Sequence, residues 1–555
     1  MGEASQSNGG ASAPQTELQN SVHRLPSGST AVRRTNPNQW LKLTLAVRTK
    51  QPLPDLSKLD GQKPGERKYL TRAELAEQYG TATDAAAAVE AFAKAHGLVI
   101  TRNETASGRI GLGGTVQALS DAFGVTLFDY DHPTLGRFHA RTGPIHLPPE
   151  LKGVVTAVFG FNNHRILVRK SRIADDSPDA EAKPAARAWF MPTELVPLYD
   201  FPTADTSKQC IGLLEFGGGV DMTAVAAYFK TISAAAPPIA IIPIDGASTN
   251  PAADPDSTGE VMLDVDVAGA MAPGAKLAVY FSSFDEKGMV DCISAVLNDA
   301  TNDPSVLSVS WGWAENEPLG TAPVLWSEAA IEACNQSFLA AANLGITICV
   351  ATGDDGSEAQ VKDGKAHVNF PATSPYVLAV GGTTLHVVKN AAGATHTTET
   401  VWNGGTSDGG TGGGVSDLTP VPAWQKGIVP ASINPGKFAG RAIPDVAANA
   451  DPATGYLTQA GTKPQIVGGT SASTPLWASL IARINANLGA RCGNFNALLY
   501  SKIGPGKTLT DITSGNNDVE GLLNGQFSAK AGWDACTGWG SPGGNALQKA
   551  LSSKA

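Results

Sequence analysis

The alternation of apolar and polar positions divides the chain into two kinds of region. WLKLTLAVRT, beginning at Trp40, alternates with period two and predicts a strand. TRAELAEQYG and TDAAAAVEAFAKAHG place apolar residues at helical spacing and predict two helices. LVITRNE, RIGLGGT, TVQALSDAFG, VTLFDYDH and RFHAR then predict strand, strand, helix, strand and strand. This mixture implies a small α+β domain over residues 38–165, ending near FGFNNHR. Residues 1–37, rich in Ser, Gly, Asn, Gln and Pro, are expected to be disordered. The stretch from Val168 to Trp189 is charged, rich in Ala and Pro, and aperiodic. Residues 166–188 are therefore expected to form an exposed linker, the kind of segment that proteases cut.

From about Trp189 the pattern changes. CIGLLEFGGG, KLAVYFSS, VLSVSWG and GITICVATGDDG are short apolar runs that end in glycine or polar residues. Helical stretches such as DMTAVAAYFKTI and SEAAIEACNQSFLAAANLG lie between them. Strands alternating with helices predict an α/β domain over residues 189–555, with a mostly parallel sheet and helices on both faces. Functional residues in such sheets gather at the carboxyl ends of the strands. Glu215, Trp311 and Asp354 are expected there.

Composition changes this picture in two places. The net charge of −10 is split unevenly, with +5 up to Arg187 and −15 after it. A basic front and an acidic back attract each other, and the acidic balance argues against a nucleic-acid partner. No apolar run is long enough to span a membrane, and no ordinary secretory signal is visible at the start. The six cysteines lack metal-ligand spacing and read as buried free thiols, with Cys492 and Cys536 the pair to check for a disulfide. The Gly-rich GGTGGGV near Gly413 lacks the ending of a nucleotide loop.

The chemistry centres on GGTSASTP, Gly468 to Pro475, where Ser471 sits among small residues. A serine hydroxyl is a weak nucleophile and needs a base. Only His367, His386 and His396 follow the linker, none in a context suited to a Ser/His pair. The segment STGEVMLDVDVAGAMAPGA offers carboxylates instead. Glu260 and Asp264 stand four residues apart in an apolar, Ala-rich helix, so both lie on one face. Two acids in one apolar setting repel, so one pKa should rise and the pair should share a proton. Such a pair can take the proton of Ser471 in mildly acidic solution.

GEVMLDVDVAGAMAPGA, SVSWG, ATGDDG, GGTSASTP and AGWDACTGWGSP occur in the order found in one family. The chain resembles the sedolisin family of serine-carboxyl peptidases, most closely its kumamolisin branch. The resemblance implies a subtilisin-like catalytic fold behind a ferredoxin-like prodomain that inhibits until it is removed. It implies Ser471 as nucleophile and Glu260 as general base and acid. Asp264 would hydrogen-bond and orient Glu260, and Asp354 would serve as the oxyanion acid. Glu215 and Trp311 would extend the proton network. It also implies one Ca²⁺ held by the carboxylates of Asp511 and Asp534 and the backbone oxygens of Ile512, Lys530 and Gly532. Asp355, Trp313 and Lys530 depart from the family pattern. The expectation is a secreted, monomeric, acid-acting endopeptidase precursor that cuts proteins and peptides, with processing between Lys183 and Trp189. A noncatalytic peptide-binding relative is the alternative.

Overall fold

The computed structural model of the chain describes residues 16–174, 189–315, 326–361, 363–389, 395–461, 463–506 and 508–553. The front part is built on a four-stranded antiparallel sheet in the spatial order Val99–Glu104, Arg109–Thr115, Trp40–Val47, Val155–Phe159. Helices Thr83–Ala95 and Val116–Phe123 connect its first and second, and its third and fourth, strands in chain order. This βαββαβ path is the expected ferredoxin-like arrangement. The alternation in Trp40–Val47 buries Leu41, Leu43 and Leu45 against Val89, Phe92 and Leu119 from the two helices.

One expectation fails at the N-terminus. Residues 1–37 are not disordered throughout. Thr30–Arg34 forms a fully exposed edge strand paired antiparallel with Leu127–His132, and Thr16–Glu17 pairs with His146–Leu147. Backbone pairing orders these polar residues without burying their side chains, so hydrophobic pattern gave no sign of it.

The larger part is built on an eight-stranded sheet. Its spatial order is Ile239–Pro243, Lys276–Ser282, Cys210–Phe216, Val306–Val309, Thr347–Ala351, Leu378–Lys389, with Val446–Asn449 and Thr395–Val401 both paired to the last. All pairs are parallel except that of Thr395–Val401. The strand order reverses beside Cys210–Phe216, and the carboxyl ends of this strand and its two successors carry Glu215, Trp311 and Asp354. Helices Met222–Thr231, Pro255–Met271 and Thr470–Leu488 cover one face, and Glu286–Asn298 and Glu328–Asn343 cover the other. Pro255–Met271 is buried almost all round, consistent with its lack of a polar face.

The front sheet packs on the second pair of helices, with Ala46, Ala157 and Phe159 joining their apolar cluster. The charge asymmetry is realised locally. Arg102 pairs with Asp291, Arg72 with Asp303 at 3.0 Å, and Lys42 donates to the backbone oxygen of Asp245 at 3.0 Å.

The expected linker is also corrected. Its described portion, residues 166–174, is buried or half-buried except at Ile173 and runs along the larger domain. Val168–Arg169 pairs antiparallel with Trp311–Gly312, and Arg172–Ile173 with Val467–Gly468. Lys170 is 2% exposed. Residues 175–188, which hold most of the expected cleavage region, lie outside the described residues. All six cysteines are buried and unpaired, Cys492 and Cys536 included.

Candidate active site

Ser471 lies in the first turn of helix Thr470–Leu488, and Glu260 and Asp264 lie on Pro255–Met271, which packs against it. All three side chains are fully buried. The Ser471 hydroxyl donates a short hydrogen bond to Glu260 Oε1. Burial pushes the Glu260 carboxyl up to about 7, with the hydroxyls of Ser171 and Ser471 opposing the shift. A carboxyl poised there accepts a proton from a neighbouring hydroxyl more readily than an exposed glutamate would.

Asp264 takes the Ser310 hydroxyl on its two oxygens at 2.9 and 2.8 Å and shares a hydrogen bond with Glu215. Its link to Glu260 is the charge of Glu260 acting on it, where the resemblance implies a hydrogen bond between the two. Burial raises Asp264 well above the usual carboxyl range, and the charges of Glu215 and Glu260 raise it further. Glu215 is pushed up to about 8 by burial and receives the Trp311 indole N–H at 3.0 Å. Trp311 itself is fixed by edge contacts with Phe216 and Phe284. The Ser471 hydroxyl also reaches the Ser310 carbonyl at 3.4 Å, so Ser471, Glu260, Asp264, Glu215, Ser310 and Trp311 form one buried network, with the half-buried Ser171 at its edge.

Asp354 lies after strand Thr347–Ala351 and is 3% exposed. Its Oδ1 accepts from the backbone N–H and hydroxyl of Thr470, both at 2.8 Å. Its Oδ2 is buried without a hydrogen-bond partner. Burial pushes this carboxyl up to about 7, against the pull of the Arg172 cation. The free oxygen therefore holds a proton in acid and can donate it.

The linker delivers something to receive that proton. The Lys170 carbonyl accepts the Ser471 backbone N–H at 2.8 Å, and the Lys170 N–H donates to the Ser310 carbonyl at 3.0 Å. Gly469, at φ +103°, shows why small residues surround the serine. A Cβ there would lie 2.4 Å from the Lys170 carbonyl oxygen and 2.5 Å from Asp354 Oδ2. Only glycine leaves that gap open. The carbonyl thus faces a backbone N–H and a protonatable carboxyl, with the Ser471 hydroxyl beside it. This is the geometry that stabilises charge developing on an attacked carbonyl oxygen.

Sequence reasoning did not find Lys170, Ser171, Ser310 or Thr470. Thr470 and Ser310 lie within the quoted motifs GGTSASTP and SVSWG, so their positions offered a signal. Lys170 and Ser171 offered none, because only the fold brings them here.

The two predicted calcium carboxylates both accept from the loop Lys530–Gly532. Asp511 Oδ2 accepts the Gly532 N–H at 2.9 Å, and Asp534 Oδ2 accepts the Lys530 N–H at 3.2 Å. Both carboxylates thus reach one loop, to which Ile512 is joined through Asp511. Asp534 is 2% exposed, burial raises its pKa, and neither acid has an ion-pair partner among the described residues. Asp534 Oδ1 is already taken by the N–H and thiol of Cys536 and the N–H and hydroxyl of Thr537, so a cation here would compete with those donors. No cluster of three or more His, Cys, Asp or Glu side chains suited to a metal occurs among the described residues, so backbone oxygens would have to complete any such site.

Comparison with known proteins finds two family models along the chain. Residues 27–164 match the family model described as Pro-kumamolisin, activation domain, and residues 247–499 match that of the Subtilase family. The chain is 42% identical to Kumamolisin of Bacillus sp. (strain MN-32) over 494 residues, 88% of this chain and 87% of that protein. It is 29% identical to Sedolisin of Pseudomonas sp. (strain 101), over 90% of this chain and 84% of that one. Among solved structures, Pseudomonas sedolisin complexed with two molecules of pseudo-iodotyrostatin aligns with a TM-score of 0.56 and 30% identity. That alignment covers 66% of this chain and 98% of that one.

Proposed function

The chain belongs to the sedolisin family of serine-carboxyl peptidases, in its kumamolisin branch, and from that premise we propose how this member works. It is the precursor of a serine-type peptidase with an activation prodomain. In our reading Ser471 is the nucleophile and Glu260 its general base. Glu260 takes the hydroxyl proton as Ser471 Oγ bonds to the scissile carbonyl carbon, then returns it to the leaving amine. Water repeats the sequence on the acyl-enzyme. The Ser471 N–H and protonated Asp354 hold the carbonyl oxygen as it gains charge. Asp264, Glu215 and Trp311 position Glu260 and store protons for it.

The observation that carries this reading is the seating of Lys170. Its carbonyl meets Ser471 and the Asp354 gap as a substrate carbonyl must. The prodomain connection therefore acts as the first substrate, and the first cut falls between Lys170 and Ser171. Burial holds Asp354 at about 7, so its donating, protonated form accumulates as pH falls below neutral, which supports acid action. Calcium belongs to the same proposal. Asp511, Asp534 and the carbonyls of Ile512, Lys530 and Gly532 would hold it, and it would cross-link the C-terminal loops. Protein and peptide substrates, export from the cell and a monomeric enzyme complete the reading.

The test is to incubate purified precursor from about pH 3 to 7, the carboxyl titration range, and sequence the new N-termini. We expect Ser171 to appear first, in acid, and Ser471→Ala to block it. Equal processing of Ser471→Ala would end the assignment of the nucleophile.

A further inference from the structure

The segment on either side of Lys170 also carries information about which substrates fit. It rests on the reading above that this segment lies as a substrate does. Val168–Arg169 and Arg172–Ile173 add short strands to the two rims of the cleft, so each side chain falls in a defined place. The Lys170 side chain enters a pocket lined by Trp313, its Nζ over the indole ring, 5.2 Å from the ring centre. Gly353, at φ +110°, forms the floor. A Cβ there would lie 2.1 Å from Asn369 Nδ2 and 4.0 Å from Lys170 Cε. Burial acts against the ammonium charge, and Asp355 followed by Asp354 act in its favour.

Beyond the scissile bond the pattern repeats with another partner. Arg172 Nη2 donates to Asp355 Oδ1 at 2.5 Å and to the Asp354 backbone oxygen at 3.2 Å. Gln360 Nε2 donates to the same Asp355 oxygen at 2.7 Å and fixes its direction. Gly409 leaves room for the guanidinium, since a Cβ there would sit 2.4 Å from Arg172 Nε. Asp355 is thus bound to one cation and faces another, while Trp313 offers its ring to the first. Both residues depart from the pattern of the family.

We propose that Trp313 and Asp355 are specificity-determining residues that make this peptidase cut after lysine in segments of the form Lys-x-Arg. Trp313 reads the lysine by stacking beneath its ammonium, and Asp355 reads the arginine two positions on by an ion pair. Leucine can fill the first pocket but gains no cation–ring attraction. Leucine opposite Asp355 leaves a desolvated carboxylate without its partner.

The experiment uses acid-activated protein and quenched peptides containing Val-Arg-Lys-Ser-Arg-Ile. Two further peptides carry leucine in place of the lysine or of the second arginine. kcat/KM is measured for each, and the bond cut is identified by mass spectrometry. We expect wild type to favour lysine and the second arginine by about tenfold each. Trp313→Leu should flatten only the first preference. Asp355→Asn, which keeps the side-chain shape, should flatten chiefly the second. Correct cutting between Lys and Ser without either preference in wild type overturns this proposal alone. So do preferences that survive both substitutions. A cut at another bond, or none, overturns the substrate reading of the linker and this proposal with it.

Discussion

The two halves of the chain bury opposite kinds of titratable group. The catalytic half buries carboxyls. Glu215, Glu260 and Asp354 are raised to about 8, 7 and 7 by burial. The front half buries histidines. His164 is lowered to about 4 and His23 to about 2, in both cases chiefly by burial, and His139 is lowered too. The His23 and His164 rings lie 5.2 Å apart, tilted by 37°, with Arg141 acting on His23, and with His132, His139 and the Phe138 ring around His164. Across the seam Glu286 faces Arg141 and is itself raised to about 7.

One change of pH therefore does opposite things. A buried carboxyl with a raised pKa binds its proton more readily folded than unfolded. Its contribution to stability grows as pH falls from its folded pKa towards the ordinary carboxyl value. A buried histidine with a lowered pKa works in reverse. Its neutral form is stable above the unfolded value of about 6.5, and that stability is lost as pH falls towards the folded value. For His164 the loss is on the order of 3 kcal/mol once pH is below about 4. Glu286 gains its proton below about 7, so Arg141 loses its countercharge over the same window. On the proposed reading acid readies the enzyme while loosening its prodomain, and this contrast extends the simpler attraction between a basic front and an acidic back.

The largest expected effect breaks the catalytic side of the contrast. Ser471→Ala and Glu260→Gln should each lower kcat/KM on a peptide substrate at least about a hundredfold, since attack and proton transfer act as a unit. Near-wild activity in a folded Glu260→Gln protein would contradict the base assignment. The next effect sharpens the front side. His164→Phe removes a group that must charge in acid, so the midpoint pH for processing should fall by about half a unit to one unit. A titration of the cut fraction against pH measures this, and an unchanged or higher midpoint would count against the histidine argument. Calcium comes third. Chelation should lower the melting temperature by a few degrees, and Asp511→Ala should abolish that sensitivity. A chelator without effect, together with no bound metal by elemental analysis, would remove calcium from the account. The smallest effect is a near-absence. His367, which bonds Asp363 at 2.8 Å, lies outside the Ser471 network, so His367→Ala should change kcat/KM less than about twofold. A dead variant would bring back a histidine base.

What the sequence made legible follows from how local each signal was. Glu260 and Asp264 could be read because helical spacing alone puts both on one face of an apolar segment. The strand ends carrying Glu215, Trp311 and Asp354 could be read because buried parallel strands are short apolar runs. Arg172–Ile173 could not. Its pairing depends on the edge Lys463–Gly468, nearly three hundred residues away, and a polar segment of this kind has no period. Thr30–Arg34 escaped for the same reason, its side chains all facing solvent. The bond from Ser310 to Asp264 joins a strand end to a helix and needs the fold itself. So does the burial that raises the acids and lowers the histidines, because charge patterns along a chain do not say which groups lose water.

The contrast between the halves is tested most directly in the Ser471→Ala precursor, which cannot cut itself. Hydrogen exchange of its amides, corrected for the intrinsic pH dependence of exchange, is followed from about pH 7 to 4, the interval spanned by these groups. The account predicts that the strands and helices of residues 38–165 lose protection first, while Cys210–Phe216, Pro255–Met271 and Thr470–Leu488 keep theirs. Simultaneous loss in both halves, or earlier loss in the catalytic helices, would contradict it.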